Sequence, residues 1–354
     1  MRVILSRKGF DTKYGGIPSP ILEDGTLLSL PIPVNGSPRK YSDLFYNRES
    51  FEDIIKQLKR GFNRTDAAID PDLRPEIFNA PSNWVASFGI GKGEITHFKN
   101  QQVGVDDLVL FFGWFKEAER NNGKLRYVKG APDLHIIYAY MQLGNIIDDS
   151  TKATEFYYLR PYIEKIAPLS PSNKLCVARD TCSWDETRKG SGVLKYDKRL
   201  VLTKEGMGDF AKWGLPDFFR DKEISLSCMG DTKIRWKQDE KGDWYFQFIK
   251  SPGQWFAIQD NPEVEAWAKE LVALSPQSIT AQPIPAALST SQPTPQFVID
   301  YLERYKDNKK EALNALEADG LVWKRSTDYG IDKMRAIMAA KKIERLVQSD
   351  YLKK

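Results

Sequence analysis

At 354 residues, 41% hydrophobic and 28% charged, the chain can bury a full core and has room for two domains, and a disordered polymer is excluded. A formal net charge of +4 permits a nucleic-acid partner without demanding one. Two histidines (His97, His135) and three cysteines (Cys176, Cys182, Cys228) exclude a histidine-rich metal site and a four-cysteine zinc site, and no metal is expected.

The odd thiol count, without a disulfide framework, fits a reducing cytoplasm. No apolar run approaches the roughly 18 residues of a membrane helix, and the charged N-terminus does not read as a signal peptide.

The opening stretch, SRKGFDTKYGGIPSPILEDGTLLSLPIP (Ser6 to Pro33), is too irregular for a helix and too polar for a core. It predicts a strand from Arg2 to Leu5, a constrained loop and a hairpin turning at Asp24-Gly25. It reads as one wall of a ligand site, or as a tight structural loop with polar side chains on the surface. SFEDIIKQLKR (Ser50 to Arg60) predicts an amphipathic helix, capped by Ser50, with Phe51, Ile54, Ile55 and Leu58 on one face. In DAAIDPDLRP, Pro71 and Pro75 force an extended path that presents Asp70 and Asp72 from a loop. Those aspartates suit a cation, a ribose or a base's role, or simply a solvated loop. SFGIGKGEITHF (Ser87 to Phe98) is a glycine-rich loop around Lys92 that suits a phosphate but lacks the spacing of a dinucleotide or phosphate-loop motif.

Two apolar strands, Leu108 to Phe115 and Leu134 to Leu143, are expected to pair antiparallel, joined through the Asn121-Asn122-Gly123 turn. Alternation sets His135 with Ile137, Ala139 and Met141 on one face, as a hydrogen-bonded core group or a site residue at the sheet end. Short strands follow at Asn173 to Asp180 and Arg199 to Gly206, and a hairpin turns at Lys241-Gly242. Arg235, Trp236, Trp244 and Tyr245 on that hairpin suit base stacking or an ordinary sheet face. Asn261-Pro262 opens a helix through Ala273. Residues 275–295 form a proline-rich linker, and 296–354 a helical module whose Lys333, Arg335, Lys341, Lys342 and Arg345 face DNA or solvent.

Several segments together resemble the third of the nucleotide-modification-associated domain families, found in phages and bacteria. They are SRKGFD with GG-x-PSPI and DGTLLSLPIP, then DPDL, FG…H, DLVLFFGWF, LHIIYAYMQLG and LTKEG…WGLPDFF. The resemblance runs from residue 1 to about 270 and covers Ser6, Lys8, Asp11, Gly15, Gly16, Pro18, Ser19, Asp70, Asp72, Gly89, His97, Trp114 and His135. Ala68 stands where the family pattern has a histidine, two positions before the DPDL aspartate. What the resemblance implies is a part in pathways that alter DNA bases.

The expected fold is α+β: a mostly antiparallel, barrel-like sheet flanked by helices, with a small C-terminal helical module. The expected domains are 1–274, the linker 275–295 and the module 296–354. The leading expectation for function is an enzyme, a transferase modifying a nucleotide or DNA base. Lys8, Asp11, Asp70, Asp72 and His135 would be catalytic; Ser6, Gly15, Gly16, Ser19, His97 and Trp114 would bind the ligand. Nothing in the sequence names a cofactor. The alternatives are a reader stacking a flipped base on Trp114, Tyr138 and Tyr140, or a scaffold subunit. The expected partners are a nucleotide or DNA and other modification-pathway proteins, with no membrane.

Overall fold

The computed structural model describes residues 1–35, 37, 39–78, 80, 84–147, 173–227, 235–250 and 256–275. The linker beyond Ser275, the C-terminal module and Cys228 lie outside the described residues.

The fold is α+β, built on a ten-stranded mixed sheet that curls into a half-barrel. Its strands are β1 (Val3–Arg7), β2 (Ser19–Ile21), β3 (Ser87–Gly91), β4 (Leu108–Asn121), β5 (Lys124–Tyr127), β6 (Leu134–Ile147), β7 (Asn173–Ala178), β8 (Ser191–Val193), β9 (Ser225–Leu226) and β10 (Phe256–Gln259). The main path runs β9-β10-β1-β4-β6-β7-β3; β2 and β5 pair with β4, and β8 pairs with β6. Among the described residues three α-helices accompany it: α1 (Phe51–Leu58), α2 (Lys92–Asn100) and α3 (Pro262–Val272).

The apolar halves of β4 and β6 are buried on both faces, as their unbroken hydrophobicity demands. The two strands pair antiparallel, with Leu134 opposite Phe115 and Gln142 opposite Leu108. The Asn121–Gly123 turn does not join them, however. It returns β4 into the short strand β5, with Asn122 and Gly123 both at positive φ, the conformation a tight two-residue hairpin requires. The sheet is mostly antiparallel, as expected, with β1 and β2 both running parallel to β4.

Two further expectations are corrected. SFGIGKGEITHF is the strand β3 running directly into α2 rather than a loop; the Gly91 N–H donates to Glu94 Oε2 at 3.0 Å, closing the helix start. In β6 a register shift between Ile137 and Ala139 breaks the two-residue alternation, so its faces cannot be read straight through.

Elsewhere local chemistry and structure agree. The Ser50 hydroxyl accepts from the Asp53 N–H at 3.1 Å, capping α1. Phe51, Ile54 and Ile55 bury against Phe10, Tyr41 and Phe62, a second core beside the one that fills the sheet. The chain turns at Gly25, and the Leu22 N–H donates to the Thr26 carbonyl. No helix of the described residues is long and apolar enough to cross a membrane.

Candidate functional site

The site begins at the end of β1, where neighbouring side chains leave opposite faces of the sheet. Lys8 continues the ladder through its N–H, which donates to the Phe112 carbonyl at 2.9 Å. Its carbonyl needs the glycine of β4: a Cβ on Gly113 would lie 3.0 Å from that oxygen. Gly9, at φ +85°, then turns the chain away.

Lys8 Nζ lies 2.5 Å from Asp70 Oδ2, and both side chains are buried. The DPDL segment reaches this position because Asp72 pairs through its backbone with Ser87 (2.8 and 3.1 Å), laying the segment along β3. Asp70 Oδ1 accepts from the Gly89 N–H at 3.1 Å, and Lys8 Nζ stands 5.2 Å over the Phe88 ring. One carboxylate is thus clamped between an ammonium and a backbone donor, with an aromatic face beneath.

Beside this pair is a cavity of about 30 Å³, whose lining includes Gly9, Ser29, Asp70, Arg74 and Tyr138. That volume admits a water or a small substituent, not a whole nucleobase. Tyr138 Oη is buried and faces Ser29 without completing a hydrogen bond. Burial holds its phenol well above the ordinary value, so the hydroxyl keeps its proton. The neighbouring Cys176 thiol is pushed up to about 12 by burial and is therefore no nucleophile at neutral pH. Burial also pushes the Asp72 carboxyl up to about 7, against the hydrogen bond from Trp84 Nε1 at 3.1 Å.

His135 stands elsewhere. It is fully buried among Phe112, Phe210, Trp213 and Phe248, and its Nδ1 accepts from Trp213 Nε1 at 2.9 Å. Burial, then the nearby Arg7 cation, holds its pKa well below the usual value. Arg7 itself donates to the Ile249 carbonyl at 3.1 Å and is pushed down to about 10 by burial, opposed by Asp11. Asp11 Oδ1 accepts from the N–H groups of Lys13 and Tyr14 at 2.8 and 2.7 Å, shaping the loop. Lys8 and Asp70 therefore meet on one face, while Asp11, Arg7 and His135 share the other.

The remaining positions are dispersed. Ser6 Oγ is buried on the Lys8 face with no hydrogen bond among the described residues. Ser19 Oγ accepts from the Leu30 N–H at 3.0 Å. The Gly15 backbone lies against Phe10, and the Gly16 N–H donates to the Asp11 carbonyl. His97 sits on α2 with no hydrogen bond to Nε2 among the described residues, and burial lowers its pKa. The Trp114 ring stacks on Phe210, its Nε1 donating to Asp133 at 3.0 Å. Trp114 alternates with Gly113 and Phe115, against which Tyr138 packs, and so faces away from Tyr138. Tyr140 donates to the Lys189 carbonyl, and neither Tyr140 nor Trp114 lines the cavity.

Ser29 and Arg74 were not singled out from sequence. Arg74 is the first cation after DPDL, a weak signal; Ser29, within an apolar run, carried none. No group of three or more histidine, cysteine, aspartate or glutamate side chains suited to a metal ion occurs among the described residues.

Comparison with protein families matches residues 2–258 to the family described as nucleotide modification associated domain 3. Searches of curated proteins and of solved structures gave no significant match.

Proposed function

The chain belongs to the nucleotide modification associated domain 3 family, and from that premise we propose that it is an enzyme acting on a nucleotide or a DNA base at the Lys8–Asp70 cavity. The observation that carries this reading is a buried lysine–carboxylate pair beside a buried tyrosine hydroxyl that completes no hydrogen bond among the described residues. Groups held this way are desolvated and oriented before a ligand arrives, the arrangement in which fixed charges stabilise a charge that develops during reaction.

In this reading Lys8 offers its ammonium to a phosphate oxygen or to developing negative charge. Asp70, released from part of that pairing, accepts or returns a proton. The Tyr138 hydroxyl donates to a substituent of the base, which the cavity's size suits better than the ring. Asp72, with a carboxyl close to half-protonated near neutrality, is the second group able to carry a proton in this segment. His135 plays no direct part, being enclosed on the other face and bonded to Trp213.

The test is mass spectrometry of nucleosides, from DNA and from the free nucleotide pool, in cells with and without the protein. The reading expects a nucleoside whose abundance depends on the chain. Identical profiles in the two strains would refute it.

A further inference from the structure

We propose that a second, open pocket, between the Lys13–Gly15 turn and the segment from Lys59 to Arg64, binds the phosphate of a nucleotide or of a nucleic-acid strand. Its volume is about 640 Å³, within the range of sites for molecules of nucleotide size. Lys13, Lys59 and Arg64 line it, and no aspartate or glutamate does. An ordinary solvated surface mixes both signs of charge; this one does not.

None of the three cations pairs with a carboxylate among the described residues. Lys59 Nζ donates to the Gly15 carbonyl at 2.8 Å, Arg64 Nη1 reaches Asn35 Oδ1 at 3.4 Å, and Lys13 Nζ stands 5.5 Å over the Tyr14 ring. Lys59 is held rather than free. Gly16 sits at φ +70°, and a Cβ there would come within 3.0 Å of Nζ, so the glycine lets the ammonium lie against the loop. Tyr14, 39% exposed at the rim, offers an aromatic face. Cations for phosphates beside an aromatic for a base are the two ingredients of sequence-tolerant nucleotide binding. None of the residues lining this pocket lines the Lys8–Asp70 cavity.

The experiment is fluorescence anisotropy of a short labelled single-stranded DNA, titrated with the full chain over a range of salt. It compares the wild type with Lys13→Gln/Arg64→Gln, whose fold is checked by thermal unfolding. The expected result is an affinity loss on the order of tenfold at 0.1 M salt and a salt slope shallower by about 0.7 per cation removed. Displacement of the strand by a deoxynucleoside monophosphate would identify the free nucleotide as the occupant. Failure of the monophosphate to compete would identify the strand; both results keep the phosphate assignment. Wild-type affinity and slope in the double variant, or no binding by the wild type at low salt, would overturn it. The readout needs no turnover, so its failure is separate from failure of the enzyme reading.

Discussion

Arg7 and Lys8 are neighbours in the chain, yet they serve opposite faces of the sheet: Lys8 meets Asp70, while Arg7 lies with His135 and Asp11. One strand end thus feeds two buried polar clusters. The proposed chemistry belongs to the first.

A buried ion pair is costly to break from one side, because the surviving charge is left without a partner. Lys8→Met and Asp70→Asn should each lower stability by about 3–5 kcal/mol in urea unfolding. The joint variant Lys8→Met/Asp70→Leu should cost less than the sum of single Lys8→Met and Asp70→Leu losses. Additive losses would mean that the two groups are not coupled.

Asp72 predicts a pH dependence of known sign. Its carboxyl binds a proton up to about pH 7 when folded, against an ordinary value of 3.8. Between those limits the folded state holds more protons than the unfolded one, so this contribution is full at low pH and is lost as pH rises through 7. Relative to Asp72→Asn, the wild type should lose as much as ~4 kcal/mol between pH 4 and pH 8, at about 1.4 kcal/mol per unit. Parallel stability curves for the two proteins would contradict the assignment.

For His135 the sign is reversed. Its folded pKa is depressed, so the unfolded chain takes up the proton first and stability is lost as pH falls below the ordinary histidine value near 6.5. The ring signals of His135 in NMR should hold still from pH 8 down to 6.5. Trp213→Phe should leave its pKa depressed, because burial and then the Arg7 cation are the causes. An ordinary titration midpoint in the wild type would show that the ring is open to solvent.

Gly15 is constrained by packing. A Cβ would fall 2.1–2.5 Å from atoms of the Phe10 ring, at a backbone φ of +98°. Gly15→Ala should cost at least ~2 kcal/mol and lower Tm accordingly. An unchanged Tm would show that Phe10 can move aside.

What was legible in the sequence was whatever local chemistry decides. Ser50 capping α1, Asn261 capping α3 and the turn at Gly25 all follow from side chains and φ preferences within a few residues. The destination of the Asn121–Gly123 turn was not legible, since a two-residue turn fixes only that the chain returns, not which strand receives it. The shift at Ile137 likewise leaves no local mark, yet beyond it every residue of β6 moves by one along β4, so that Ala139 meets Phe111 rather than Leu110. In the opening loop, residue types suggested polarity and an accessible wall. The structure buries Lys8 and Asp11 instead, each satisfied by a partner distant in sequence or by the loop's own N–H groups. Charge on a side chain says that a partner is needed; only the tertiary fold says which.

In the proposed function, chemistry on a nucleotide or base runs through the Lys8–Asp70 pair. The most direct measurement is nucleoside mass spectrometry from cells producing Lys8→Met/Asp70→Leu at wild-type abundance, a variant that removes both charges and leaves neither one buried alone. The expected result is that the protein-dependent nucleoside disappears while the fold persists by circular dichroism. The same nucleoside at wild-type level would contradict it.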